Sequence, residues 1–375
     1  MSQTPEDELY RQEARHPVRA AWIAGAETFD RFGRVLQPLA VGLVDETVDV
    51  VIFSPAPAAG EEPACVPYEV VPYRPPRWWR RRSGTIASLV DPLRDRKVEL
   101  LCGLDGSVAG LTHALSRAAG MGYLLSCYSL ADAWRVAEAA RGASCLLAAS
   151  EPIRDALVAR AGCPADKVRL MRPGVYHVQQ PTCFAQPDRS VAIVAGGPLN
   201  DFAAFHSVLL CFAELVVRKY DCVFFLLGGG RAERRLRRRA GQLDLNRQLT
   251  FAGRRPMQQL TGIFKAADVY ISPTTSDRID MPSLLAMAAG VPVLAAADQE
   301  ASDFLQDGRT AMFFSPGDPA ELTVKLTSLL DDSASARALA QSAIEYVHAN
   351  HSPAVNVTAL AHFCREAVPA AAEPT

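Results

Sequence analysis

Short apolar runs spaced by helical stretches recur along nearly the whole chain, and this alternation restricts its fold more than any other feature. Residues 20–24 (AAWIA), 48–53, 98–102, 123–127 and 145–148 are such runs. Between the later ones lie helical segments at 107–119 and 131–141, and Ser150 reads as the N-cap of a helix continuing to Ala161. Strands regularly separated by helices predict a parallel, doubly wound α/β sheet. Residues 176–189 then break the pattern: they lack periodicity and carry two prolines. After them the alternation restarts with strands at 191–195, 222–227, 249–253, 267–271 and 291–294. Phe205, Val208, Leu209, Phe212, Leu215 and Val216 form one helix face between the first two. The chain therefore reads as two Rossmann-like domains, 19–175 and 190–350, joined by a linker at 176–189. A lead-in at 1–18, a terminal helix at 351–368 and a tail at 369–375 complete it.

The 375 residues are enough for two ordinary cores, and 49% hydrophobic with 21% charged residues is the balance of a globular protein. A net charge of −2 argues against a general nucleic-acid binder. Nine cysteines lie scattered without a C-x-x-C pair or other metal spacing, the usage of reduced, buried thiols. The acidic, polar N-terminus has neither signal- nor transit-peptide character. The longest uncharged apolar run, 284–297, is 14 residues and too short to span a bilayer. A cytoplasmic protein is expected, and a basic-aromatic run qualifies that. Arg77, Trp78, Trp79, Arg80, Arg81 and Arg82 form either a patch for an anionic membrane surface, placing the protein at the inner face, or a solvated loop whose tryptophans pack on the next helix.

Function is most legible at 271–293 (ISPTTSDRIDMPSLLAMAAGVPV). A strand ends at Ile271, polar turn residues follow, Pro282 sits in the first turn of a helix, Gly290 ends it, and a buried strand begins. A helix N-terminus just beyond a strand's C-terminal end is a ready anion site, because free N–H groups and the helix dipole converge there. The backbone of Asp280, Met281, Pro282 and Ser283 is thus expected to hold phosphate.

The same stretch resembles the donor-site signature of family 4 glycosyltransferases, E-G-F-G-x-x-x-L-E-A-M-A-x-G-x-P-V. Leu284-Leu285-Ala286-Met287-Ala288-Ala289-Gly290-Val291-Pro292-Val293 matches its second half, and Asp277-Arg278-Ile279-Asp280 stands at its first. The resemblance covers roughly residues 20–367 and implies a GT-B fold with two Rossmann-like domains and a last helix crossing back to the first domain. It further implies retaining transfer of a sugar from a nucleotide sugar to a glycan, lipid-linked or small-molecule acceptor, with no metal or other cofactor. By resemblance Asp277 contacts the sugar, Gly33 supplies the glycine turn after the first strand, and Gly253 and Arg254 lie beside the base. Gly197 and Thr274 complete the donor-binding set.

The departures are as specific as the matches. Leu285 replaces the signature's second Glu. Pro198 and Ala203 replace the Arg and Lys that clamp the diphosphate in G-R-L-x-x-x-K-G, and Cys127-Tyr128-Ser129 holds no His where the family places one. Two lost charged contacts amount to about 3–6 kcal/mol, on the order of a hundredfold to ten-thousandfold in affinity or rate. Arg278 is a candidate replacement cation. Two readings stand: a working glycosyltransferase with a rearranged donor site, and a non-catalytic GT-B protein serving as partner or scaffold of an active one.

Overall fold

The computed structural model of the chain describes residues 17–55, 68–75, 82–186 and 188–368. They fall into two units. The first holds the described residues up to Phe29, Val35–Met171 and those from Pro353 onward; the second holds Asp30–Arg34 and Arg172–Ser352. Residues 1–16 of the expected lead-in, the tail at 369–375, the loop at 56–67 and Arg77 to Arg81 lie outside the described residues, and Val18, the last residue of that lead-in, already belongs to the first strand.

The first unit opens with β1 (Val18–Ile23), α1 (Thr28–Asp45), β2 (Val48–Pro55) and β3 (Glu69–Tyr73). Next come α2 (Arg82–Asp95), β4 (Leu100–Gly103), α3 (Ala109–Ala119) and β5 (Gly122–Cys127). Two helical turns, α4 (Asp132–Arg135) and α5 (Ala137–Ala140), precede β6 (Cys145–Ala148), α6 (Glu151–Ala161) and β7 (Val168–Leu170). The seven strands pair in parallel in the order β3-β2-β1-β4-β5-β6-β7. Every residue of β4 and β6 is buried, as a parallel sheet with two covered faces requires. Ser150 caps α6 as expected, accepting from Ile153 N at 3.4 Å.

Where the structure departs from expectation, burial explains it. β3 and α2 carry little pattern: β3 is an edge strand that buries only Tyr73, and α2 contains Pro92. The helix anticipated over 131–141 divides at Val136. The buried Asp132 caps the segment that leads into the first of the two turns, accepting from Tyr128 N and Ser129 N at 2.9 and 3.0 Å.

The second unit contains β8 (Val191–Gly196), α7 (Phe202–Val217), β9 (Cys222–Leu227) and α8 (Glu233–Gln242). It continues through β10 (Leu249–Gly253), α9 (Met257–Lys265), β11 (Val269–Ser272), α10 (Met281–Ala288) and β12 (Val293–Ala296). β13 (Met312–Phe314), α11 (Pro319–Asp331) and α12 (Ser333–Asn350) close it, and α13 (Pro353–Ala367) belongs to the first unit. Its six strands run in parallel in the order β10-β9-β8-β11-β12-β13. Between β12 and β13, residues 300–306 form turns. Phe212 stacks on Phe224 at 4.1 Å in the core.

One buried carboxylate organises the start of this unit. Asp268 is 2% exposed and accepts from Phe184 N at 2.6 Å, Arg189 at 2.8 Å and Ala192 N at 2.9 Å. It therefore ties the segment before β8 to the beginning of β11. Residues 176–189 pack on the same unit, with Val178 N donating to Ala288 O at 2.9 Å and Thr182 N to Gly290 O at 3.1 Å. At the other end, His351 Nδ1 bonds Pro173 O at 2.8 Å and Val175 N donates to His351 O at 2.9 Å. Burial pushes the His351 imidazole down to about 4.

Replacing Asp268 with Ala strands three donors, and the urea midpoint should fall by an amount equivalent to roughly 2–4 kcal/mol; a change below about 1 kcal/mol would contradict this account. His351 also carries a pH dependence. Its folded pKa lies below the unfolded value of about 6.5, so its contribution is present above that pH and is lost as pH falls toward 4. Up to about 3 kcal/mol should disappear across that window, and His351→Gln should flatten the profile of urea midpoint against pH.

Candidate functional site

In a sheet ordered β10-β9-β8-β11-β12-β13, the crossovers leave β8 in opposite directions, and a crevice opens beyond the C-terminal ends of β8 and β11. The loops that follow β8, β9, β10 and β11 meet there through glycines. Gly197 N donates to Leu227 O at 3.2 Å, and Gly228 N donates to Gly253 O at 2.9 Å. A Cβ on Gly228 would lie 2.0 Å from Gly197 O, and the residue has φ +126°. Only glycine fits that position. A Cβ on Gly197 would come within 3.3 Å of Thr274 Oγ1, so the loops after β8 and β11 are in contact as well. Arg254 lies against Gly229, its Cγ 3.1 Å from where a Cβ would stand. Gln299 is buried and donates Nε2 to Thr274 O at 2.7 Å, leaving its Oε1 without a partner.

The start of α10 differs from expectation. Asp280 is its N-cap, and the carboxylate accepts from Ser283 N at 3.2 Å, Ser283 Oγ at 2.6 Å and Ser272 Oγ at 2.7 Å. Asp280 N donates to Ser302 Oγ at 3.0 Å, Met281 N to Ile279 O at 3.1 Å, and Pro282 has no N–H. Every N–H group from Asp280 to Ser283 is thus engaged within the chain, and the expectation of free donors for phosphate is corrected accordingly. Burial and the neighbouring Asp280 charge push the Tyr270 hydroxyl well up. Asp277 and Arg278 lie on the loop between β11 and α10. The Asp277 side chain is half-exposed, and Arg278 Nε stands 3.8 Å from its carboxylate.

The structure brings Gly197, Gly253, Arg254 and Thr274 to one edge of the second sheet, with Asp280, Met281, Pro282 and Ser283 at the end of β11. Gly33 does not supply the turn after β1; it lies inside α1. That turn uses Gly25, whose N donates to Thr28 Oγ1 at 2.7 Å and whose Cβ would stand 2.5 Å from Ser107 Oγ. Gly25 was the available signal, since it directly follows the first apolar run. Arg82 begins α2, and the rest of the Trp-Arg run lies outside the described residues.

The first unit has a crevice of the same topology beyond β1 and β4. Asp105 stands there, accepting from Thr28 Oγ1, from Ser107 Oγ and from Ser107 N at 2.7 Å. Cys127, Tyr128 and Ser129, at the position without His, are all buried, and Asp132 holds the amides of the last two. Asp105 and Asp132 escape sequence reasoning because nothing local distinguishes them from turn aspartates. Among the described residues no cluster of three His, Cys, Asp or Glu could hold a metal ion, and no helix is long and apolar enough to cross a membrane.

Comparison with known proteins agrees with this architecture. The family described as "Glycosyl transferases group 1" matches residues 191–346, and that described as "Glycosyltransferase Family 4" matches residues 32–178. D-inositol 3-phosphate glycosyltransferase of Corynebacterium diphtheriae is 26% identical over 191 residues, covering 49% of this chain and 45% of that protein. The Corynebacterium efficiens enzyme of that name is 29% identical over 131 residues, or 35% and 31% of the two chains. The matched stretch thus spans less than half the length of these curated relatives. Among solved structures, Anabaena HepE in complex with UDP and glucose has a TM-score of 0.74 at 16% identity, covering 92% of this chain and 98% of that one. The signature helix, the glycine-lined crevice, the paired parallel sheets and both matches converge: the chain belongs to the GT-B glycosyltransferases of the family 4 type.

Proposed function

We propose that the protein is a retaining glycosyltransferase that takes a nucleotide sugar in the crevice of its second unit. It passes the sugar to a glycan, lipid-linked or small-molecule hydroxyl acceptor. The observation that carries this reading is the meeting of Gly197, Gly228 and Gly253 at the point where strand order reverses, the position where open α/β sheets take nucleotides. In this assignment the base lies beside Gly253 and Arg254, and Asp277 faces the sugar. As the sugar–phosphate bond breaks, negative charge develops on the diphosphate and must be met by fixed dipoles or cations. The N–H groups at the start of α10 are engaged, and Pro198 and Ala203 carry no charge. Arg254 and Arg278 are therefore the groups assigned to that charge, with no metal in the scheme.

The same engaged N–H groups favour a second reading, in which the chain keeps the fold and serves as a non-catalytic partner of an active glycosyltransferase. Calorimetric titration with UDP, GDP and ADP, each alone and as a sugar conjugate, separates the two. Micromolar affinity for one nucleotide, weakened about tenfold or more by Arg278→Ala, supports the enzyme. Absence of binding to all of them removes that reading for the isolated chain.

The glycines allow a sharper test. Gly253 has φ +71° with open space around its Cβ position, whereas Gly228 combines a positive φ with a backbone collision. Gly253→Ala should cost only about 1–2 kcal/mol of backbone strain and, with the base assigned to the open space beside it, should weaken nucleotide binding about tenfold without abolishing it. Gly228→Ala must part the loops after β8 and β9 and should abolish binding at temperatures where the unit remains folded by circular dichroism.

A further inference from the structure

Two helices begin at the rim of the second unit's crevice, α7 after β8 and α10 after β11. Each N-terminus is an anion site in physical terms, and each is already filled by a carboxylate of the chain. Asp201 accepts from Ala203 N at 2.8 Å and Ala204 N at 3.3 Å. Asp280 accepts from Ser283 N, Ser283 Oγ and Ser272 Oγ, and the last two hydroxyls belong to buried residues. Capping aspartates are ordinary elsewhere in the unit, as Asp318 and Asp332 show on α11 and α12. What sets Asp201 and Asp280 apart is position: both stand beside the switch point, where a nucleotide's phosphates would otherwise find the two helix ends. Pro198 and Ala203 carry no cation, and the arginines nearest the start of α7 are already engaged, Arg231 Nε with Asn200 O at 3.4 Å and Arg235 over the Phe202 ring at 3.9 Å.

We infer that Asp201 and Asp280 are resident anions that determine specificity in this crevice. They keep a ligand's phosphates off both helix ends, so that the ligand is held through its nucleoside and sugar. A diphosphate that does bind is displaced outward, toward the exposed Arg254 and the partly exposed Arg278. This inference rests on the proposed use of the crevice for a nucleotide sugar.

The decisive variants are Asp280→Asn and Asp201→Asn. Asparagine caps a helix about as well as aspartate, so each helix start should be kept while one charge is removed; at Asp280 the Ser272 and Ser283 hydroxyls must turn to accept from the new amide, and circular dichroism checks that the unit stays folded. Calorimetry on the full chain would compare pyrophosphate, the nucleoside diphosphates UDP, GDP and ADP, and the parent nucleosides. Each variant should bind pyrophosphate and the preferred diphosphate about tenfold more tightly than the wild type, and the double variant more tightly still. Nucleoside affinity should stay unchanged, a split that a general loosening of the site would not produce. Diphosphate affinity within twofold of wild type in both variants overturns the inference, as does an equal gain for the nucleoside, and so does failure of any variant to bind pyrophosphate or nucleotide. The outcomes for the underlying reading differ. Wild-type binding that the variants leave unchanged sinks the resident anions alone. A gain of pyrophosphate binding in the variants, with no sugar transfer by the wild type, upholds the anions and sinks the enzyme.

Discussion

The backbone of Gly228 lies against the carbonyl of Gly197, and the crevice edge of the second unit depends on that contact. β8 and β9 are neighbours in the sheet, and their following loops must diverge unless one surrenders its side chain. With a glycine at 228 the loops instead interlock. Leu199 N donates to Gly229 O at 3.3 Å, Ala232 N donates to Leu199 O at 2.9 Å, and Gly228 N reaches across to Gly253 O at 2.9 Å. The result is an edge made of main chain, which a flat ring or a sugar can approach closely. It has little rotamer freedom to lose on binding. Asp268 serves the same end from the opposite side of the sheet, fixing where β8 and β11 begin and hence where both finish.

Much of this was legible because the signals are local. The apolar run at 222–227, a proline in the first helical turn at Pro282 and a glycine after the last one at Gly290 each act within a few residues. The elements they delimit lie where the sequence puts them. β3 and α2 were not legible, because an edge strand that buries one residue shows no period. Gly33 was the wrong glycine for a related reason. The first turn after a strand takes the residue sterically required to be small, and Gly25 must clear Ser107, which lies far away in sequence. The engagement of the α10 N-terminus was hidden in the same manner. Ser272 and Ser302, which complete the Asp280 network, are 8 and 22 residues from it, and no spacing rule connects them.

In this unit the capping carboxylates take N–H groups that a bound phosphate would otherwise need. A helix end offers a limited set of free N–H groups. A capping carboxylate that takes them gains about 1 kcal/mol for the fold and removes them from any ligand. At α11 and α12 that exchange has no bearing on the crevice. At α7 and α10 it falls on the two helix ends nearest the switch point, where the opposite choice would have served a phosphate.

That choice constrains the chemistry available to the protein. Backbone N–H groups at a helix end are oriented before the ligand arrives, so they stabilise a departing diphosphate with little reorganisation. Arginine side chains at the surface can supply the charge but must first be ordered, and each long side chain gives up roughly 1.5–2 kcal/mol of rotamer freedom in doing so. Arg254 has the backbone of Gly229 to lie on, and Arg278 has the carboxylate of its neighbour Asp277 at 3.8 Å. A donor site that relies on them trades preorganisation for reach. Its transfer rate would then depend on whatever orders Arg278. The Asp277 carboxylate 3.8 Å away is placed to do so, and Asp277 is also the residue assigned to the sugar. Binding of the sugar and positioning of the cation would on this account be a single event at one loop.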